Sequence, residues 1–465
     1  MICLKVSKRI AWFLTAAAIL AALSACATPE AAPSTDSTRD SSGIVCITLP
    51  GNTASEAYPA QQAEFEALTG HRFEYTIWSY DSDFFRAQFE TAALPTLYPM
   101  GSIGLQKMIQ NGYCRDITPQ VQARGWDTDM LPVLKDTVSD EDGRIYGVPI
   151  SASALGLVCN VAVFRAAGLV DDRGVPVYPK TWDELVETCK TITEKTGAAG
   201  IALSASSNTG SMYWANIAWN YGAELCTKNE DGSFTSRLNT PEAVEAMQVY
   251  KRLADAGVVY GDPCLDDAQA ACDAVASGLA AMAFGSADTA ARLALPPEEV
   301  AVIPLPAGPG GAYMLVTGSY WCFSPNATDE EVDAALDYIE LYSTSPAWNE
   351  TREAILRQQA DNAIRNGLPY LTSLPCYDGI SKTHLDAIAE AYPSEHQDRF
   401  RDYNTAARDT SRLRGEEPGE TQQMYALIAS VIQEIFVNPD ADVQMLMDTI
   451  QSYYQTILDS YAALE

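Results

Sequence analysis

The chain has 465 residues, of which 61 are Asp or Glu and 30 are Lys or Arg, and its formal net charge is −31. At about 100–200 residues per domain, this length predicts two or three domains, and a hydrophobic content of 47% is ordinary for a globular protein with a sizeable core. Nucleic acids and anionic lipid surfaces would repel so acidic a chain, which excludes nucleic-acid binding.

The first 26 residues have the pattern of a lipoprotein signal peptide. Three basic residues precede an apolar run at residues 10–23, which is short for a membrane-spanning helix of about 20 residues. The run ends in Leu-Ser-Ala-Cys, which resembles a bacterial lipobox, so we predict cleavage before Cys26 and lipidation of its thiol. The alternative is an ordinary secretion signal that happens to end in cysteine.

Residues 27–42 contain no aliphatic side chain larger than alanine. Such a segment cannot bury apolar area and predicts a flexible tether, with a root-mean-square span of roughly 20–25 Å. We therefore expect an extracytoplasmic protein, anchored by lipid to the outer face of the cytoplasmic membrane.

Strand and helix patterns alternate after the tether. Residues 44–49 predict a buried strand and residues 72–78 a second strand, separated by a helix that ends near Thr69 and Gly70; a further helix is predicted over residues 81–92. This alternation favours βαβ units and a largely parallel sheet. The apolar stretch at residues 145–157 is predicted to cross between domains.

Helix starts are marked further along the chain. Two pairs have capping-box spacing: Thr181 with Glu184, and Thr328 with Glu331. Thr240 and Pro241 predict another helix start, and Gly197 is placed to end the first of these helices. Apolar residues three and four apart at 431–436 and 443–457 indicate that the C-terminal third is mainly helical.

Nine cysteines follow Cys3 and Cys26: Cys46, Cys114, Cys159, Cys189, Cys226, Cys264, Cys272, Cys322 and Cys376. They show no CxxC pairing, so no metal site is predicted. Several occur in apolar runs, which favours buried free thiols. An odd number outside the cytosol cannot all pair within one chain, a tension that a reducing habitat would resolve.

Six motifs then follow one another in a recognisable order. They are Gly-Arg-Ile-Tyr-Gly-Val-Pro at 143–149, Val-Phe-Arg-Ala-Ala-Gly-Leu at 163–169, Pro-Lys-Thr-Trp-Asp-Glu-Leu at 179–185, the glycine- and alanine-rich segment 275–285, Gly-Ser-Tyr-Trp at 318–321 and Ser-Pro-Asn at 324–326. This order resembles the family 1 extracellular solute-binding proteins of ABC sugar importers, of the maltose-binding type. The resemblance covers residues 44 to about 342, and a weaker similarity extends over residues 424–446.

The resemblance implies an α/β fold with two periplasmic-binding-protein-like lobes joined by a hinge. It places lobe one at residues 43–150 and 312–366, and lobe two at residues 151–311 and 367–465. Such lobes close around a ligand by a hinge motion. Two departures, Cys159 before Asn160 and Ser286 after the glycine-rich strand, argue against maltodextrin specificity in particular.

The resemblance also implies a function without chemistry. We expect a monomer that captures a sugar or oligosaccharide between its lobes and delivers it to the permease subunits of an ABC transporter, with no cofactor and no catalytic residue. Aromatic side chains would stack on the apolar face of the sugar, and polar side chains would bind its hydroxyl groups.

The candidate ligand contacts combine aromatic, hydroxyl, amide and carboxylate groups. They are Asn52, Thr53, Trp78, Tyr80, Asp81, Gly101, Ser102, Tyr213, Trp214, Trp219, Ser286, Asp288, Tyr320, Trp321 and Tyr425. Alternatives remain open for several of them. The aromatics of residues 213–219 could be core residues, Asn52 and Thr53 could cap a helix, and Asp288 could be a solvated surface charge. Tyr320 and Trp321 straddle a strand, so one should face the core and the other the cleft.

Two other classes of function are alternatives. A carbohydrate-active enzyme needs two spaced carboxylates, but so acidic a chain supplies pairs by chance, and no Gly-x-Ser-x-Gly, His-Glu-x-x-His or phosphate-loop motif occurs. A binding protein for a peptide or polyamine is the second alternative, since the negative charge would favour a cation.

Overall fold

The computed structural model describes residues 44–51, 58–76, 78, 82–365, 370, 374–392 and 396–462. The strands in this part of the chain are β1 (Cys46–Pro50), β2 (Arg72–Thr76), β3 (Leu97–Gly101), β4 (Gly147–Ala154), β5 (Gly156–Asn160), β6 (Ala199–Ala202), β7 (Cys226–Lys228), β8 (Phe234–Ser236), β9 (Val259–Tyr260), β10 (Ala280–Gly285), β11 (Val300–Pro304), β12 (Met314–Phe323) and β13 (Leu413–Arg414).

The helices in the same part are α1 (Tyr58–Thr69), α2 (Ser82–Glu90), α3 (Leu105–Gln110), α4 (Thr118–Ala123), α5 (Trp126–Asp129), α6 (Pro132–Val138), α7 (Val161–Ala166), α8 (Trp182–Thr196), α9 (Asn208–Tyr221), α10 (Pro241–Asp255), α11 (Ala268–Ala276), α12 (Ala287–Ala290), α13 (Asp329–Tyr342), α14 (Glu350–Arg365), α15 (Ile380–Ala391), α16 (Arg401–Ala407), α17 (Thr421–Val437) and α18 (Val443–Ala462).

The predicted helix starts are confirmed by their hydrogen bonds. Thr328 Oγ1 accepts the Glu331 N–H at 3.2 Å, and Glu331 Oε2 accepts the Thr328 N–H at 2.7 Å, which completes the capping box of α13. Thr181 accepts the Glu184 N–H at 3.2 Å, whereas the Glu184 carboxylate accepts the N–H of Lys180 rather than that of Thr181. These side chains satisfy N–H groups that a helix leaves unpaired at its start.

The predicted βαβ unit is confirmed at β1, α1 and β2, because β1 and β2 pair in parallel. The two larger sheets are mixed, so the prediction of a largely parallel sheet is wrong for them. One sheet has the order β11-β5-β10-β6-β9, with β6 parallel to β9 and β10 but β5 antiparallel to β10 and β11. In another, β12 runs antiparallel to β3 and β4 and parallel to β13. Strand β5 runs in the opposite direction to its neighbours. Its first residue, Gly156, pairs with Gly285 and Pro304, the last residues of β10 and β11.

In the part of the chain that the structure describes, three groups of buried side chains form the cores. We call the core built from residues 45–152, 316–339 and 374–377 the first core. The second core lies among α8, α9, α10, α17 and α18 and includes Trp182 and Tyr250, and the third core includes Phe400 and Tyr403 of the α16 region. Leu374, Cys376 and Tyr377, which the sequence assigned to lobe two, pack in the first core. The lobe boundaries otherwise stay a prediction.

Strands β4 and β12 pass from one group of cores to the other. Val148 of β4 is buried in the first core and Ala154 in the third. Likewise, Leu315 of β12 is buried in the second core and Cys322 in the first. The two strands pair with each other along this path, so a two-stranded ladder joins two α/β lobes. We call residues 151–154 and 316–319 the crossing.

The membrane-related predictions fall on residues 1–43, which lie outside the described residues. Within the described ranges, no helix is long and apolar enough to cross a membrane.

Candidate functional site

A polar face occupies the crossing. Ser151 pairs with Ser319, and Ser153 pairs with Thr317. Because alternate residues of a strand share a face, and paired residues of neighbouring strands do too, these four hydroxyl side chains lie on one face. All four residues are half-buried. The residues of the opposite face are buried in the cores: Ala152, Ala154 and Val316. We call the four hydroxyl-bearing residues the hydroxyl patch.

Several strands end beside the crossing. Gly101 at the end of β3 pairs with Ser319, while Gly285 and Pro304, at the ends of β10 and β11, both pair with Gly156 just after β4. In open α/β sheets, loops that follow the carboxyl ends of strands form the ligand-binding crevices. The loops after β3 and β10 are therefore placed where such a crevice would lie.

Two predicted site residues bond directly to the crossing. Ser102 donates its N–H to Gly318 O at 2.9 Å, and its Oγ accepts the Gly318 N–H at 3.2 Å. From the other lobe, Asp288 accepts a hydrogen bond from Ser153 Oγ. Since Gly318 pairs with Ala152, the two contacts lie at neighbouring positions of the ladder. The structure thus brings Ser102 and Asp288 to one place, together with Gly101.

Ser286 caps the short helix that carries Asp288. Its Oγ accepts the Thr289 N–H at 3.4 Å, and Thr289 Oγ1 accepts the Ser286 N–H at 3.1 Å. This capping box holds α12 against the end of β10 and fixes the position of Asp288 beside Ser153.

Tyr213 is the aromatic of α9 that lies beside this loop. Its ring stacks on Phe284 with centroids 5.0 Å apart and planes 24° from parallel. Phe284 immediately precedes the loop of Ser286 and Asp288. Burial raises the pKa of the Tyr213 hydroxyl, which therefore stays protonated and able to donate.

Trp214 and Trp219 are both 0% exposed and belong to the second core. The Trp219 indole N–H donates to Glu417 Oε1. Their burial favours the core role that the sequence left open for the aromatics of this helix.

The remaining described aromatics are divided between core and surface. Tyr320 and Tyr425 are buried, in the first and second cores respectively. Trp321 is half-buried and donates its indole N–H to Ser343 Oγ at 2.9 Å. It follows Thr317 and Ser319 on the same face of β12, farther into the first lobe. Trp78 is half-buried and packs against aromatic rings of the first core.

The predicted contacts Asn52, Thr53, Tyr80 and Asp81, and the predicted lipidation site Cys26, lie outside the described residues.

The sequence alone did not indicate a role for Glu416. Its Oε2 accepts the N–H of Gly104, which precedes α3, at 3.2 Å. Burial raises the pKa of Glu416 to about 7. The buried hydroxyl of Tyr425 faces this carboxyl and opposes part of the effect of burial on its pKa. The sequence signal that could have identified Glu416 is the pair Glu416 and Glu417, between a glycine and a proline just before the apolar helix α17.

Ion pairs join the two lobes near Glu416 and at a second point. Lys107 Nζ of α3, which packs in the first core, lies 2.6 Å from Glu420 Oε1 at the start of α17, which packs in the second. Lys228 of β7 also pairs with Glu141, in the loop before β4. These contacts hold the lobes together in the conformation described.

No group of three or more His, Cys, Asp or Glu side chains within the described ranges is arranged to hold a metal ion.

Residues 50–347 match the family described as bacterial extracellular solute-binding protein. The match spans well over half of the chain. This protein belongs to that family. The family resemblance seen in the sequence is thereby confirmed.

Relatives from Brucella abortus and Brucella suis, named as binding proteins, are 30% identical to this solute-binding protein over 203 residues. That stretch is 43% of this chain and 47% of each relative, so the chain spans about half the length of the curated relatives it matches.

Solved structures are similar over more of the chain. The cyclic alpha-maltosyl-1,6-maltose binding protein of Arthrobacter globiformis aligns with a TM-score of 0.66 at 20% identity, covering 90% of this chain and 100% of that one. The sugar-binding protein MalE of Xanthomonas citri gives 0.67 at 14% identity, covering 90% and 98%. UgpB of Mycobacterium tuberculosis, in complex with glycerophosphocholine, gives 0.65 at 19%, covering 90% and 99%. At these identities the likeness establishes the two-lobed fold.

Proposed function

We propose that this solute-binding protein captures a sugar or a related polyol between its lobes and delivers it to the permease of an ABC transporter. The observation that carries the proposal is the meeting of the hydroxyl patch with a polar loop from each lobe, at Ser102 and Asp288. A ligand held there touches both lobes, and binding is coupled to their closure.

The chemistry of the crossing suits a polyhydroxylated ligand. A carboxylate such as that of Asp288 accepts hydrogen bonds from two sugar hydroxyls, and a serine or threonine hydroxyl both donates and accepts. The half-buried ring of Tyr213, which stacks on the buried ring of Phe284, is the apolar surface that we assign to the C–H face of a sugar ring.

Similar proteins support a sugar or polyol as the ligand class. Besides the cyclic maltosyl-maltose binder, the similar structures include complexes with tagatose and with ribitol. The glycerophosphocholine complex extends the range to a glycerol phosphodiester. The common element among these ligands is a set of vicinal hydroxyl or ether oxygens.

The setting of the protein is part of the same proposal. Lipid on Cys26 and a tether over residues 27–42 would hold the monomeric, folded lobes near the permease, while the net charge of −31 keeps them off the anionic membrane surface. Binding without catalysis fits the family, whose described role is solute binding.

A thermal-shift screen tests the proposal. Ligands that bind the native state alone raise its stability, by about 2.7 kcal/mol at a hundredfold excess over Kd. We expect one or more mono- or oligosaccharides or polyols to raise the unfolding temperature, with an affinity near micromolar, roughly −8 kcal/mol. Shifts with peptides or polyamines but with no sugar would contradict the proposal. Release of a cleaved product from an oligosaccharide would support an enzyme instead.

A further inference from the structure

Two cysteine thiols lie side by side in the first core. The Arg115 N–H donates to Phe323 O at 3.0 Å, which brings the preceding residues of the two segments, Cys114 and Cys322, together. The two thiols are close enough for each to influence the ionisation of the other. Tyr98, which pairs with Cys322 across the sheet, has its hydroxyl 3.7 Å from Cys114 Sγ.

Both thiols are buried, with exposed fractions of 4% for Cys114 and 0% for Cys322. The surrounding chain holds them in place. Cys322 lies in β12, which pairs with β3 on one side and β4 on the other. The residue after Cys114, Arg115, donates a backbone hydrogen bond to β12. Two thiols fixed in contact need little further movement to form a covalent bond.

We propose that Cys114 and Cys322 form a disulfide in the exported protein, by exchange with an extracytoplasmic protein or small-molecule disulfide. The family is extracellular, and disulfides form and persist in such compartments. Exchange takes place during folding after export, before the core closes over the two thiols.

The exchange proceeds in two balanced steps. The thiolate of one cysteine attacks one sulfur of the oxidant, which forms a mixed disulfide and releases one oxidant thiolate. The thiolate of the other cysteine then attacks the sulfur of the first, forms the intramolecular bond and releases the second oxidant thiolate. The two cysteines lose two electrons and two protons, and the oxidant ends as two thiols.

The bond would tie the segment after α3 to the strand that crosses between the lobes. It closes a loop of about 200 residues that includes much of the other lobe, and loops of this length restrict the unfolded chain strongly. Of the nine cysteines that follow Cys26, seven would remain free, because an odd total cannot all pair within one chain.

Peptide mapping tests the proposal on the exported full-length protein. The protein is isolated without reductant, its free thiols are blocked with iodoacetamide in denaturant, and it is digested with trypsin. We expect residues 108–115, which carry Cys114, to be linked to residues 293–352, which carry Cys322. Recovery of both peptides with alkylated cysteines, or joined to other cysteines, would overturn the proposal.

Unfolding temperature gives a second readout. A reductant should lower the unfolding temperature of the wild-type protein by several degrees and leave Cys114→Ser and Cys322→Ser unaffected. Cys46→Ser and Cys264→Ser, which remove half-exposed thiols, serve as controls and should keep the wild-type response. Loss of the reductant effect in those controls alone would assign the disulfide elsewhere. The mapping needs no variant, so a substitution that fails to fold does not affect it.

Discussion

The carboxyl group of Glu416 shows how one residue's surroundings set its chemistry. It lies between α3 of one lobe and α17 of the other, accepts one hydrogen bond from the Gly104 N–H, and has a pKa near 7 because it is buried. The hydroxyls of Tyr320 and Tyr425 face it, and Glu417 follows it in the chain. At neutral pH it is poised between its two protonation states.

Substituting Glu416→Gln should change how stability depends on pH. The folded state raises the pKa of Glu416 from 4.5 to about 7, so it binds the proton more tightly than the unfolded state. This contribution is fully present below pH 4.5 and is lost as the pH rises through about 7, by roughly 3 kcal/mol. Glutamine cannot titrate and removes that loss.

Urea unfolding at pH 5 and pH 8 measures the effect. The fall in unfolding free energy between these values should be smaller in Glu416→Gln than in the wild type. Glu390→Gln, at an exposed carboxyl of α15, should keep the wild-type fall. An equal fall in all three proteins would show that Glu416 does not carry this pH dependence.

At the scale of elements, local hydrogen bonds could be predicted from sequence and strand direction could not. The caps of α8 and α13 depend on residues three apart, which are visible in the sequence. The direction of β5 depends on where the chain crosses between lobes. The hydroxyl patch was missed for the same reason: Ser151 and Ser319 are far apart in the chain, and their pairing is decided by the fold.

The burial of the aromatic site residues could not be predicted from the sequence either. The aromatics of α9 form a pattern that suits both a core and a ligand site, and the structure places Trp214 and Trp219 in the second core while Tyr213 stacks beside Asp288's loop. Spacing along a helix identifies a face, but which neighbour covers that face depends on α10 and α17, whose positions are set by the whole lobe.

The capping box of α13 offers a test at this scale. Thr328→Ala should lower the unfolding free energy by about 1 kcal/mol, because the Glu331 N–H loses its acceptor at the helix start. Thr456→Ala, an exposed position in the middle of α18, should leave stability unchanged or slightly raised. Chemical denaturation of the two variants compares them, and an equal loss in both would argue against a specific cap.

At the scale of the whole molecule, two lobes are joined by paired strands and held together by polar contacts. The paired strands β4 and β12 connect the lobes, and the Lys107–Glu420 and Lys228–Glu141 pairs join them at two further points. A conformation held by a few polar contacts can open at modest cost, which a protein that captures and releases its ligand needs.

Breaking one of these pairs should favour the open conformation. Glu420→Gln removes the carboxylate beside Lys107 and should weaken ligand affinity by up to about fivefold, because a partly exposed ion pair contributes up to about 1 kcal/mol. The effect should shrink at high salt. Glu187→Gln removes a pair with Lys190 inside α8 and should leave affinity unchanged. Small-angle scattering that finds no more open molecules in Glu420→Gln would contradict this account.

The most direct test of the proposed function is a calorimetric titration of the sugar or polyol found in the screen. Wild-type protein should bind it at one site, and Asp288→Asn should bind it roughly ten- to a hundredfold more weakly, because a charged acceptor of hydrogen bonds is lost. Asp172→Asn, at an exposed carboxylate, should bind as the wild type does. Equal affinity in all three proteins would contradict a ligand site at the crossing.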